Sequence, residues 1–358
     1  MIFNLLHITD CHFSRFSDYE NTVQTAFETR HPLDILKAFF IVKDALSLGA
    51  SGFSHPTSYD SAVANQMFRY LKKIISVDPN DPTDLLIFTG DIANTGDEQD
   101  LDAAADFLMG RRFGQFPNME DTSIEKIRVP FMLMPGNHDR FDGLLNKPGS
   151  TNFEDKFGSR WDFRTNASHF SKRPGAAIVG DMVRAISIHK NNDVRLVVIC
   201  ADFSLRYSSE AHFPEFMGQG EINKIRLDAL IDATKLTRNK DEDAVIVWGI
   251  HFPPMFKNVP PSLRLIDEDR LVEAAIENDI GLILSGHTHE KDGYWIDVNE
   301  QVKVICGGSA SSYGSEHGNH INEISFFAEN AKIDQDTIQC RVHSYDDEFC
   351  RWEFSGDM

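Results

Sequence analysis

The chain has 358 residues, enough at roughly 150 per domain for one large α/β domain or two smaller ones. Apolar residues make up 41% and charged residues 25%, which is ordinary globular usage and excludes a disordered, collagenous or coiled-coil chain. Lys plus Arg number 35 against 55 Asp plus Glu, a formal net charge of -20, so the basic footprint that grips long duplex nucleic acid is absent.

In chain order, short apolar runs alternate with amphipathic stretches. The first run, residues 2–9 (IFNLLHIT), comes after the initial Met with no basic leader, so no signal peptide and a cytoplasmic location are expected. Further runs of strand length lie at 85–89 (LLIFT), 130–134 (PFMLM), 196–200 (LVVIC), 245–248 (VIVW), 282–284 (LIL) and 302–306 (VKVIC). They are nearly continuous in apolar residues, as strands buried on both faces are. Helical periodicity falls at 33–48, 61–75, 97–108, 221–236 and 268–277. This alternation predicts an α/β architecture of layered sheets and helices. Residues 322–327 and 337–354 read as strands with no helix between them, a meander expected to close the edge of a second sheet. Polar segments at about 13–84 and 140–193 read as insertions, and no linker is visible. The expectation is one domain over 1–358 with these elaborations and a β-rich tail at about 322–358. No run reaches the roughly 18–20 apolar residues of a membrane-spanning helix. The cysteines at 11, 200, 306, 340 and 350 are odd in number and lack a CxxC, so they read as small fillers rather than a disulfide framework or a thiolate site.

The chemistry sits in the few residues just beyond each apolar run. LLHIT leads into Asp10-Cys11-His12, and LLIFTG into Asp91. PFMLMPG leads into Asn137-His138-Asp139, VIVWGI into His251, and LILSG into His287-Thr288-His289. Loops at the carboxyl ends of α/β strands form the ligand crevice, so these side chains are placed to converge. Asp, Asn and imidazole without thiolate suit manganese, iron or zinc. Four imidazoles and two carboxylates are too many for one catalytic ion with an open position. Two ions sharing a carboxylate account for the count, and would supply the positive charge that an acidic chain needs for phosphate chemistry.

DxH, GD, GNHD, a lone His after a strand, and GHTH, in this order from Asp10 to His289, resemble the calcineurin-like metallophosphoesterase superfamily. The resemblance implies a four-layer α/β/β/α sandwich of two mixed β-sheets flanked by helices. It also implies a dinuclear metal-dependent hydrolase of phosphate esters. Asp10, His12, Asp91 and His289 would form the first metal site, and Asp91 would bridge to a second completed by Asn137, His251 and His287. His138 would be the catalytic histidine and Asp139 the acidic partner that orients it. A strand ending in Ala201-Asp202, the Gly218-Gln219-Gly220 run before a helix, and HFPP at 251–254 resemble the cyclic-nucleotide phosphodiesterase branch. A phosphodiester substrate is therefore favoured. The alternatives are a phosphomonoesterase, a single-strand nuclease, or a scaffold subunit on the same fold. Arg140 is the next residue after GNHD and is a candidate phosphate contact. His317 and His320, in a Gly- and Ser-rich loop that could border the crevice, are further candidate substrate contacts.

Overall fold

A computed structural model describes residues 1–14, 32, 61–77, 82–108, 129–140, 152–157, 177–178, 183–190, 194–204, 218–257, 259–312 and 317–358. Its elements in chain order are β1 (Ile2–Ile8), α1 (Ser61–Val77), β2 (Leu85–Phe88), α2 (Glu98–Leu108), β3 (Phe131–Leu133) and α3 (Asn152–Phe157). Next come β4 (Ala177–Ile178), β5 (Val183–Lys190), β6 (Val194–Ala201), β7 (Gly220–Glu221), α4 (Lys224–Lys240) and β8 (Val245–Gly249). The remainder are β9 (Leu265–Ile266), α5 (Glu268–Glu277), β10 (Leu282–Ser285), β11 (Asp292–Trp295), β12 (Lys303–Cys306), β13 (His320–Glu329), β14 (Lys332–Ile333), β15 (Gln339–Asp346) and β16 (Arg351–Asp357). The expected helix at 33–48 and most of the first insertion lie outside the described residues.

Two large sheets form. The first runs β16-β15-β13-β1-β2-β3, with β14 on β13, and the second runs β11-β12-β10-β8-β6-β5-β4. Strand alternation explains why the apolar runs are continuous. Leu5, Leu85, Ile87 and Met132 of the first sheet pack against Val198, Val245, Val247, Leu282 and Leu284 of the second, forming the core between sheets. The intervening residues turn outward. Leu6, Leu86 and Phe88 meet Val63, Met67, Phe68 and Leu71 of α1 and Leu101 and Ala104 of α2. Ile199, Ile246, Trp248 and Ile283 meet Leu227 and Leu230 of α4 and Leu271 and Ala275 of α5. The layer order is helix, sheet, sheet, helix, as the sequence predicts.

Three departures matter. The tail is not the border of a separate sheet: β13 lies antiparallel on β1, from Ile2↔Phe327 to His7↔Asn322, so the meander continues the sheet that carries Asp10. The two polar segments also contribute to the layered core. α1 falls in the first, and Trp352 of β16 donates to its Val63 carbonyl at 3.1 Å. β5 falls in the second and pairs with β6 along its length. α4 starts at Lys224 rather than 221, because Glu221 belongs to β7 and Asn223 caps the helix, accepting from Ile225 N at 2.9 Å.

β1, β2 and β3 are mutually parallel, as are β6, β8 and β10. Their carboxyl ends therefore open together at one edge of the sandwich. Among the described residues no helix is long and apolar enough to cross a membrane.

Candidate metal centre

The loops after β1, β2, β3, β8 and β10 bring seven side chains into one cluster, buried but for the half-buried His289. Asp10, His12 and His289 offer donor atoms within 4.8 Å of one another, as do Asp91, His251 and His287. Asp91 also groups with His12 and His138, so it belongs to both halves. His12 Nε2 and His289 Nε2 face each other at 3.0 Å, and Asp10 Oδ1 lies 3.5 Å from the latter. In the other half, Asn137 Oδ1 sits 3.0 Å from both His251 Nε2 and His287 Nδ1. Asp91 Oδ2 is 3.2 Å from His251 Nε2.

Backbone geometry makes the convergence possible. Asp10, His12, Asp91, His287 and His289 all have φ between 49° and 75°, a region non-glycine residues seldom adopt. Such strain persists where the surroundings over-determine it, typically at functional sites. Cys11 lies between two of these residues and is the small filler the sequence predicts. The chain is left-handed on both sides of it, and its side chain is buried in the core under α1 and α2. Two glycines allow the close approach: a Cβ on Gly136 would lie 2.1 Å from Asp91 Oδ1, and one on Gly286 would lie 1.9 Å from Thr9 Oγ1.

The opposite edges of the rings are held. His251 donates from Nδ1 to the Thr89 carbonyl at 2.8 Å, and His287 donates from Nε2 to the Leu263 carbonyl at 3.1 Å. These bonds fix which nitrogen each ring turns inward, as outer partners of metal-binding imidazoles do. Asp10 Oδ2 accepts from Thr9 Oγ1 and His287 N, at 2.6 and 2.9 Å. Its Oδ1 is buried with no hydrogen-bond partner among the described residues.

Electrostatics point the same way. Burial, then the nearby His138 and His289, push His12 down to about 3. Burial and His251 push His287 down to about 3 as well, so both are neutral donors at ordinary pH. Burial alone would keep His251 neutral, but the Asp91 charge overrides it and lifts His251 to about 9. Burial also opposes ionisation of Asp10 and Asp91, yet contact with His289 for the one, and with His251 and His138 for the other, holds both below the usual carboxylate range. The cluster thus combines two carboxylates, one of them with an oxygen that has no hydrogen-bond partner among the described residues, four imidazoles and an amide oxygen. This donor set fits a pair of metal ions of the manganese, iron or zinc kind.

His138 borders both halves. Its backbone N–H donates to Asp91 Oδ1 at 2.9 Å, and its ring lies edge-on to His12 with centroids 4.7 Å apart. The expected pairing with Asp139 is replaced. His138 Nδ1 donates to the Asn94 carbonyl at 2.8 Å. Asp139 instead accepts from the backbone N–H groups of Ala93, Gly136 and Ile92, at 2.8, 2.8 and 3.2 Å. It ties the loop after β2 to the loop after β3, while burial and the Asp91 charge raise it to about 7 against the pull of those donors.

Two of the three candidate substrate contacts, Arg140 and His320, have other partners. Arg140 is 3% exposed and committed to Asp202 and Glu154, because a buried guanidinium needs carboxylate partners. His320 opens β13, with Nδ1 facing Ser344 Oγ at 2.8 Å and Nε2 on the His317 carbonyl, and the His317 side chain is exposed. What that loop does bring to the site is serine: Ser309 and Ser311 donate to the Asp10 and Cys11 carbonyls, each at 2.8 Å. Neither serine, nor Asn94 or Leu263, carries a sequence signal of its role beyond the small-residue run at 307–312.

No curated protein matches the chain. Among solved structures it is similar to a dimetal phosphatase from Danio rerio at 12% identity and TM-score 0.53, covering 99% of this chain and 98% of that one. It is also similar to GAP50, the anchor in the inner membrane complex of Plasmodium, at 9% identity and TM-score 0.46, covering 100% and 89%. The 5'-nucleotidase from Candida albicans SC5314 matches at 13% identity and TM-score 0.43, over 97% of this chain and 53% of that one. The first of these agrees with the sandwich fold. A family model for calcineurin-like phosphoesterases matches residues 3–291, from within β1 to just beyond His289, and a dinuclear metal centre is the family's implied cofactor. The chain belongs to the calcineurin-like phosphoesterase family and is a metal-dependent phosphoesterase.

Proposed function

We propose that the protein hydrolyses phosphodiesters, with Asp10, His12, Asp91 and His289 holding one metal ion and Asp91, Asn137, His251 and His287 a second. The observation that carries this reading is the shared position of Asp91, in donor range of both histidine sets and anchored by the His138 N–H. Two ions bound there supply Lewis acidity and an activated water for in-line attack on phosphorus. The protein's own part is to position and to move a proton. The Asn94 carbonyl holds the His138 Nδ1–H, so Nε2 is the nitrogen that meets the ester. As the new P–O bond forms, the bond to the departing alkoxide breaks, and His138, entering the step with both ring nitrogens protonated, gives its Nε2 proton to that oxygen and is left as the neutral Nδ1–H ring. A direct displacement of this kind inverts phosphorus.

Charge favours a diester. Asp10 and Asp91 offset two of the four positive charges of two divalent ions, and Arg140 adds none because Asp202 and Glu154 neutralise it. The remainder matches a singly charged diester together with an anionic nucleophile, whereas a doubly charged monoester overshoots it. The test is turnover with manganese on bis(4-nitrophenyl) phosphate, 4-nitrophenyl phosphate, cyclic nucleotides and short oligonucleotides. The expected kcat/KM for the aryl diester exceeds that for the monoester by roughly tenfold or more. A preference for the monoester overturns the diester assignment.

A further inference from the structure

Arg140 and Asp202 come from different sheets. Arg140 ends the turn after β3 in the first sheet, and its backbone N–H donates to the Asn137 carbonyl at 3.1 Å. Asp202 stands immediately after β6 in the second sheet. Arg140 places Nε 2.8 Å and Nη2 2.7 Å from Asp202 Oδ2, with side chains 4% and 3% exposed. Asp202 is itself braced. Its Oδ1 accepts from Ser204 N at 2.8 Å, and its carbonyl accepts from Arg226 Nη1 at 2.7 Å. Glu154 of α3 takes the far side of the guanidinium.

On one side β6 pairs with β8, in the register Cys200↔Gly249, and β8 leads to His251. The same turn that holds Arg140 sends Asn137 across to His251 and His287, at 3.0 Å each. Asn137 is a neutral amide and supplies no strong pull of its own. A forked, buried, charge-assisted pair at the same turn does. We infer that the Arg140–Asp202 pair is the strut that sets Asn137 against His251 and His287, and so governs affinity for the second metal ion while leaving the first largely alone. This rests on reading those three residues as one ligand set. The strut needs a fork as well as a charge, so a lysine at 140 is not equivalent.

The experiment titrates manganese into purified native protein and into Asp202→Asn and Arg140→Lys variants, by calorimetry and by electron paramagnetic resonance, with thermal melting alongside. Native protein takes up two ions and shows the spectrum of an exchange-coupled pair. In the variants the first ion binds as in native protein, the second is weakened by roughly 10–100-fold, and the spectrum at matched loading is that of isolated manganese. Arg140→Lys keeps a cation facing Asp202, so it gives an answer even if Asp202→Asn does not fold. Native affinity for both ions in a folded variant overturns the inference, and so does equal weakening of both. Native protein that binds no manganese fails the ligand assignment itself, a separate result.

Discussion

Replacing Gly136 by alanine is the sharpest single perturbation of the site. Gly136 precedes Asn137, and a Cβ there would lie 2.1 Å from Asp91 Oδ1, 2.5 Å from Asp91 N and 2.8 Å from Asp91 Cγ. All three atoms belong to one residue, and one is backbone, so no side-chain rotation clears the overlap. To reach ordinary contact at 3.4 Å the loops after β2 and β3 must part by about 1.3 Å. That breaks the bond from His138 N to Asp91 Oδ1 and draws Asp91 Oδ2 away from His251. A misplacement of about 1 Å in a reacting constellation costs on the order of 100-fold in rate. The overpacking itself costs roughly 1–3 kcal/mol of stability, which a chain with this much core tolerates. The expected result is a folded protein, judged by circular dichroism, whose kcat/KM on bis(4-nitrophenyl) phosphate with saturating manganese falls by about 100-fold or more. Near-native kcat/KM with native manganese stoichiometry would refute the claim that the two loops are in contact through Asp91.

Three further outcomes are expected. His138→Ala keeps both ions, since the bond to Asp91 comes from the backbone, but loses about 10²–10⁴-fold in turnover, most on esters with poor leaving groups; undiminished activity on such esters removes His138 from proton transfer. Ser309→Ala deletes the donor to the Asp10 carbonyl and the acceptor for Ser312 N, and is expected to lower stability by roughly 0.5–1.5 kcal/mol and to weaken manganese binding, checked by melting curves and titration; unchanged values for both exclude the loop as a support for Asp10. Leu284→Ala opens a void in the core between the sheets, directly beneath the His287 loop, and should cost roughly 2–5 kcal/mol in denaturant unfolding; a loss below about 1 kcal/mol contradicts the packing described.

Much of the fold and the site is legible in the sequence because both are local. Runs such as LLIFT and VIVW are continuous because β2 and β8 have layers on both sides, and each candidate metal-binding residue comes within a few positions of the end of its strand. What the sequence hides is long-range. Residues 322–327 read as part of a meander at the edge of a second sheet, yet β13 lies on β1, more than 300 residues earlier in the chain. Arg140 stands beside a catalytic motif and so reads as a phosphate contact, but only the fold brings Asp202 and Glu154 to it. Asp139 likewise sits next to His138 in sequence while its carboxylate faces the backbone of the β2 loop. The left-handed turns at Asp10 and His12 leave no composition signal either, because these positions carry the functional residue where glycine would be the easier choice.

The central claim is that Asp91 lies between two ions, one beside His12 and His289, the other beside His251 and His287. Anomalous diffraction from crystals grown with manganese tests it directly. Two peaks roughly 3.5–4 Å apart, both in contact with Asp91, are the predicted result. A single peak, or two peaks that do not share Asp91, contradicts it.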